Sequence, residues 1–177
     1  MTEQIWLDDL ELGQELFAPQ LDDIYHLVFG DGVTVQRVKG TYADKELSID
    51  AFIYFPNGMR RTSQEKVRRY NQLGHDDFTL EYYSNATEKS LGEWFKLNVD
   101  YYLYAWVNER QTGFARVRFF KVREFKELSL KGILKGEYEA NKAHSNATFC
   151  AFPFKDFPLE LFLYRFPEKE FREYCLW

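Results

Sequence analysis

Two acidic residues stand where the surrounding sequence is apolar. Asp50 follows Ile49 within residues 47–55 (Leu-Ser-Ile-Asp-Ala-Phe-Ile-Tyr-Phe), and Glu81 lies between Leu80 and Tyr82 within residues 77–83. Both stretches read as strands. A carboxylate buried there without a partner is costly, so it must reach solvent at an edge, pair with a base or hold a cation. Two carboxylates converging from adjacent strands form a hard oxygen site suited to Mg²⁺ or Mn²⁺. Such an ion can deprotonate water and neutralise charge on a phosphate being cleaved. Asp50 and Glu81 are therefore the candidate metal ligands and catalytic acids. A third acid, Asp100, opens a Tyr-rich strand, and at that position a turn or capping role is expected.

A basic window lies between the two candidate acids. Arg60, Arg61, Lys66, Arg68 and Arg69 fall within ten positions of a chain whose formal net charge is −5. Functionally, they could grip a phosphate backbone beside the carboxylates; the plainer expectation is a solvated face. The net charge itself does not advertise nucleic-acid binding, but a bound cation would offset clustered acids locally. Tyr70, Tyr82, Tyr83 and Trp94 are candidates to stack on unpaired bases, with core packing the simpler role. His26, His75 and His144 are scattered, and His75 is expected on a surface loop. The sequence contains no Gly-x-Gly-x-x-Gly or phosphate-binding loop.

The elements that must position these residues follow from hydrophobic spacing. Leu16, Phe17, Leu21, Ile24, Tyr25 and Val28 predict a helix over 14–29, ended by Gly30-Asp31-Gly32. Val33, Val35 and Val38 suggest a first strand. Strands are expected at 47–55, 77–83, 100–107 and 114–122, with a hairpin turn at Gln111-Thr112-Gly113. Residues 63–73 fit a short helix or an exposed strand. Residues 124–140 read as a helix interrupted near Gly132, and 147–154 as a last strand. This pattern predicts an α/β or α+β fold with a mixed central β-sheet flanked by helices.

At 177 residues, 45% hydrophobic and without a repeat or linker, the chain is expected to form one domain. Only Cys150 and Cys175 are present, which suggests reduced thiols rather than a disulfide framework. No signal peptide or membrane span is evident, so a cytoplasmic location is expected.

The order of these elements resembles the PD-(D/E)XK (restriction-endonuclease-like) nuclease superfamily. The resemblance is carried by Asp77-Phe-Thr-Leu-Glu81-Tyr-Tyr-Ser84, then Gly92-Glu93-Trp94-Phe95, then Asp100-Tyr101-Tyr102-Leu103-Tyr104. It covers roughly residues 14–155 and leaves an aromatic extension at 156–177 that is expected to dock on the body. It implies a Mg²⁺- or Mn²⁺-dependent endonuclease acting on DNA, and a homodimer by analogy. Asp50 matches the Asp of the PD element, with Ile49 where Pro is usual. Glu81 matches the acid of the (D/E)XK element, but the lysine position two residues later holds Tyr83. The basic group must then come from elsewhere, with Lys66, Lys89 and Lys96 as candidates. An acid on the first helix would be Glu15, Asp22 or Asp23. An alternative alignment places the catalytic strand at Gln64-Glu65-Lys66-Val67, where the arginines make the window too polar for a central strand. Two other readings remain open: a nuclease-like scaffold without catalysis, and a protein-interaction module of unrelated fold.

Overall fold

The computed structural model describes residues 16–38, 40–140 and 146–167. Glu15, His144 and Cys175 lie outside the described residues. The fold is mixed α/β, with two sheets and a minority of helix.

Helix α1 (Ala18–Phe29) begins with Pro19 in its first turn, where a missing N–H is harmless, and ends at Gly30, whose φ of 89° suits glycine. Its buried face is Leu21, Ile24 and Tyr25. Strand β1 (Thr34–Arg37) leads to the short helix α2 (Tyr42–Leu47), capped by the Thr41 side chain. The expected strand at 47–55 is therefore shorter: Leu47 ends α2, Ser48 turns with φ 53°, and β2 is Ala51–Tyr54. Pro56, Asn57 and Gly58 then turn the chain into β3 (Arg60–Arg68), which pairs antiparallel with β2.

The polar window is thus a strand of the main sheet, not an exposed strand or a helix. It lies between β2 and β6 (Tyr101–Val107), and it runs parallel to β6. Antiparallel β7 (Phe114–Lys121) follows through the expected hairpin, and β10 (Phe162–Phe166) completes the order β1-β2-β3-β6-β7-β10. The strand at 147–154 is consequently not the last. Of the extension at 156–177, β10 pairs with β7, and residues 168–177 lie outside the described residues.

Alternation explains how so polar a strand fits there. Ser63, Glu65 and Val67 face α1, while Gln64, Lys66 and Arg68 face the opposite layer. Each polar group on the α1 side has a partner. The Tyr25 hydroxyl donates to Ser63 Oγ at 2.8 Å. Arg37 donates to both Glu65 oxygens at 3.1 Å and to Asp22 Oδ1 at 2.8 Å. Asp22 is therefore part of a structural ion pair. Tyr25→Phe removes one buried hydrogen bond and should cost about 1 kcal/mol in urea unfolding.

The β3–β6 crossover holds a 3-10 turn (Tyr70–Gln72), β4 (Asp77–Asn85), β5 (Ser90–Leu91) and the one-turn helix α3 (Glu93–Lys96). After β7, α4 (Val122–Leu130) ends before Gly132. The rest of the predicted helix at 124–140 is instead a turn and strand β8 (Glu137–Ala140). β8 and β9 (Thr148–Pro153) join the crossover strands in a second sheet of order β5-β4-β9-β8. Phe78, Leu80, Tyr102, Tyr104, Phe120, Phe125 and Phe152 fill the core that links the layers. No helix among the described residues is long and apolar enough to cross a membrane.

Candidate active site

Asp50 stands just before β2. Its backbone N–H donates to Ser63 O at 3.0 Å, and its carbonyl accepts from Val38 N at 2.9 Å. Its carboxylate is pinned too, because Oδ2 accepts the Glu65 N–H at 2.8 Å. The residue as a whole is half-buried, yet its carboxyl group is enclosed, and burial pushes its pKa up to about 8. The Glu65 N–H opposes that rise, while the Glu65, Asp44 and Glu93 charges add to it.

On the same face of β3, Lys66 reaches Glu93 Oε2 at 4.0 Å. Glu93 Oε1 accepts from Gln64 Nε2 at 2.8 Å and from the Tyr102 hydroxyl at 3.0 Å. Burial and the neighbouring Arg68 push the Lys66 amine down to about 8, against the pull of Glu93, Glu81 and Asp50. With 30% of the side chain still open, solvent moderates this shift. Glu81 is raised by burial and by Glu93, against Lys66 and Lys96. Lys66 therefore interacts with Asp50, Glu81 and Glu93 together.

Gly92 holds the two crossover acids together. A Cβ there would sit 2.5 Å from Glu81 O. Gly92→Ala should accordingly push β4 away from α3, costing about 1–3 kcal/mol on thermal unfolding and moving Glu81 and Glu93 apart.

The arrangement corrects several expectations. Asp50 and Glu81 do not come from adjacent strands: β2 pairs with β1 and β3, and Glu81 lies in the second sheet. Tyr83, at the position where the resemblance calls for lysine, belongs to an aromatic cluster. It packs edge-on against Tyr82 at 4.9 Å and stacks on Phe95 at 6.4 Å. Lys89 occupies an exposed turn with φ 53°. Lys66 stands beside Glu93 and within the electrostatic influence of Asp50 and Glu81, while Glu65, between Gln64 and Lys66, turns to the opposite face and pairs with Arg37.

The basic window is split by the strand rather than gathered into one stripe. Arg60 lies 4.5 Å over the Phe52 ring, and Arg68 donates to the Tyr104 hydroxyl at 2.7 Å. Arg61 faces the other way, with Nη1 3.4 Å from Asp100 Oδ1, and Arg69 lies beyond the strand, leading into the 3-10 turn. Asp100 takes the capping role, accepting from the Thr62 N–H at 2.8 Å. Trp94 stacks on Phe152 at 5.7 Å and Tyr82 meets Tyr138 edge-on at 5.0 Å, so these two are scaffold. Tyr70 is exposed.

The chain matches no protein-family model, no curated protein and no solved structure.

Gln64 and Glu93 were missed as site residues. Parity offered a signal for Gln64, because residues two apart in a strand share a face, and Lys66 was already a candidate. Glu93 sits in a helix of one turn, too short for periodicity to mark.

Among the described residues, no group of three or more His, Cys, Asp or Glu side chains is placed to hold a metal ion. Mg²⁺ does not need one, since it is commonly held by one or two carboxylates with water and substrate phosphate completing its shell. Gln64 gives its amide N–H to Glu93, while its buried Oε1 lacks a hydrogen-bond partner.

Proposed function

We propose that this chain is a metal-dependent nuclease that hydrolyses phosphodiester bonds of DNA. The observation that carries the reading is the Lys66 amine 4.0 Å from Glu93 and within the electrostatic influence of Asp50 and Glu81. A lysine with a pKa near neutrality in an acidic pocket is poised for proton transfer.

Asp50 and Glu81 are the carboxylates that would hold Mg²⁺ or Mn²⁺, with the Gln64 carbonyl oxygen as a neutral donor. The ion supplies charge neutralisation at the phosphate and a more acidic water. Asp50 is fixed by the Glu65 N–H, so its carboxylate is oriented before substrate arrives. Glu93 is held by Gln64 and Tyr102, and it positions the Lys66 amine. In its neutral form Lys66 accepts a proton from the attacking water. Arg68, next along the same face and tied to Tyr104, offers fixed positive charge to the strand.

The test is a panel of labelled DNA and RNA incubated with Mg²⁺, Mn²⁺ or chelator, using wild type and Glu81→Gln. The reading expects metal-dependent cutting of DNA and a loss of at least about tenfold in the variant. Absence of cutting of every substrate by folded wild type would refute it. Cutting of RNA alone would overturn the choice of DNA.

A further inference from the structure

A cavity of about 290 Å³ opens beside the acidic pocket. Its walls include Arg68, Gln72, Thr79, Tyr104, Trp106 and Ala151. Two strands relate it to the site in the same way. Along β3, Arg68 is one same-face step beyond Lys66; along β4, Thr79 is one same-face step before Glu81. One such step is about 7 Å, comparable to the reach from a phosphate to the base of its own nucleotide. The cavity thus lies where the base would fall if its phosphate sat at Lys66.

The lining suits a heterocycle. Tyr104 and Trp106, both almost fully buried, lie beneath it with ring centroids 4.7 Å apart. Gln72 and Thr79 bring polar groups to the walls. Asp77 and Glu139 also line the cavity and disfavour a second phosphate there, so its occupant is not another stretch of backbone. At about 290 Å³ the cavity is just below the range of small-ligand pockets, about 300–1,000 Å³, so it takes one base rather than a longer segment.

Resting on the nuclease reading of the neighbouring acids, we propose that this cavity receives one unstacked nucleobase adjacent to the phosphate at Lys66, making single-stranded DNA, or a strand end, the preferred substrate. A base paired within a duplex cannot enter such a cavity without being unstacked, and that costs energy.

The test uses the full chain carrying Asp50→Asn, so that binding is read without cleavage. Fluorescence anisotropy at fixed salt compares a labelled single-stranded DNA oligonucleotide with strands in which one base at a time is replaced by an abasic unit. Ala151→Phe fills the cavity from β9, and Gln72→Trp fills it from the crossover, which guards against one variant misfolding. The expected result is one position at which base removal weakens binding about tenfold. Either filling variant should weaken the intact strand by a similar factor and leave the strand abasic at that position unchanged. Equal loss on intact and abasic strands, or no loss with either folded variant, overturns the cavity assignment. If wild type cuts DNA but the cavity variants bind normally, only the cavity assignment fails. If wild type cuts nothing, the nuclease reading fails, whatever the binding data show.

Discussion

Lys66→Met should lower the rate of DNA cleavage by about 10²–10⁴-fold and raise the melting temperature in the same preparation. The two effects share one cause. Burial holds the Lys66 pKa near 8, below its ordinary 10.5. Between these values the unfolded chain binds a proton that the folded chain does not, so folding is disfavoured at neutral pH. Methionine fills a similar volume without the charge, and Glu93 keeps its donors Gln64 and Tyr102. The gain should be about 1–3 kcal/mol at pH 7, discounted for the exposed part of the side chain. It should shrink as pH rises from about 8 to 10.5. Calorimetry at pH 7 and pH 10 checks the sign, and a gain that grows with pH would contradict it. Wild-type cleavage should climb through a midpoint near pH 8 as the amine becomes neutral.

Asp50→Asn should abolish metal-dependent cleavage and stabilise the metal-free protein at pH 8. The folded pKa of Asp50 is raised, so the folded chain holds a proton that the unfolded chain releases between about 4 and 8. Wild type therefore loses stability across that window, whereas the variant does not. The Asn side-chain oxygen can still accept the Glu65 N–H. The expected difference is roughly 3–5 kcal/mol at pH 8 and near zero at pH 3. Mg²⁺ should reverse the ranking by stabilising wild type alone, since a ligand that binds only the folded state shifts the unfolding equilibrium. Thermal melts with Mg²⁺ and with chelator separate this from a general effect of the substitution. Equal shifts by Mg²⁺ in both proteins would remove Asp50 from the metal site.

What the sequence disclosed and what it hid divide along physical lines. Helix α1 and strands β4, β6 and β7 were legible because each carries an apolar repeat that only one geometry satisfies. β3 was misjudged because its polarity looked incompatible with a central position. The partners that make it compatible (Arg37, Tyr25, Glu93 and Tyr104) come from distant segments and leave no local trace. Residues 137–140 (Glu-Tyr-Glu-Ala) alternate as a strand would, but four residues are too few to break the helical reading of 124–140, and pairing with β9 makes them a strand. At the site, Asp50 and Lys66 could be nominated from residue type and setting. Glu81 was nominated as a neighbour of Asp50 on an adjacent strand, whereas it belongs to the second sheet. Gln64 and Glu93 become meaningful only once the crossover folds over β3.

The parallel seam between β3 and β6 also dictates an order of events in time. The β2–β3 and β6–β7 hairpins need only short loops and can form within microseconds. The seam must wait for residues 69–100 to close, a non-local event that slows folding. Asp50 and Lys66 arrive with the first hairpin, whereas Glu81 and Glu93 arrive with the loop that closes the seam. The acidic surroundings of Lys66 thus mature last, and a nascent chain carries only half of the candidate site. During refolding, amide protection in β2 and β7 should precede the recovery of cleavage.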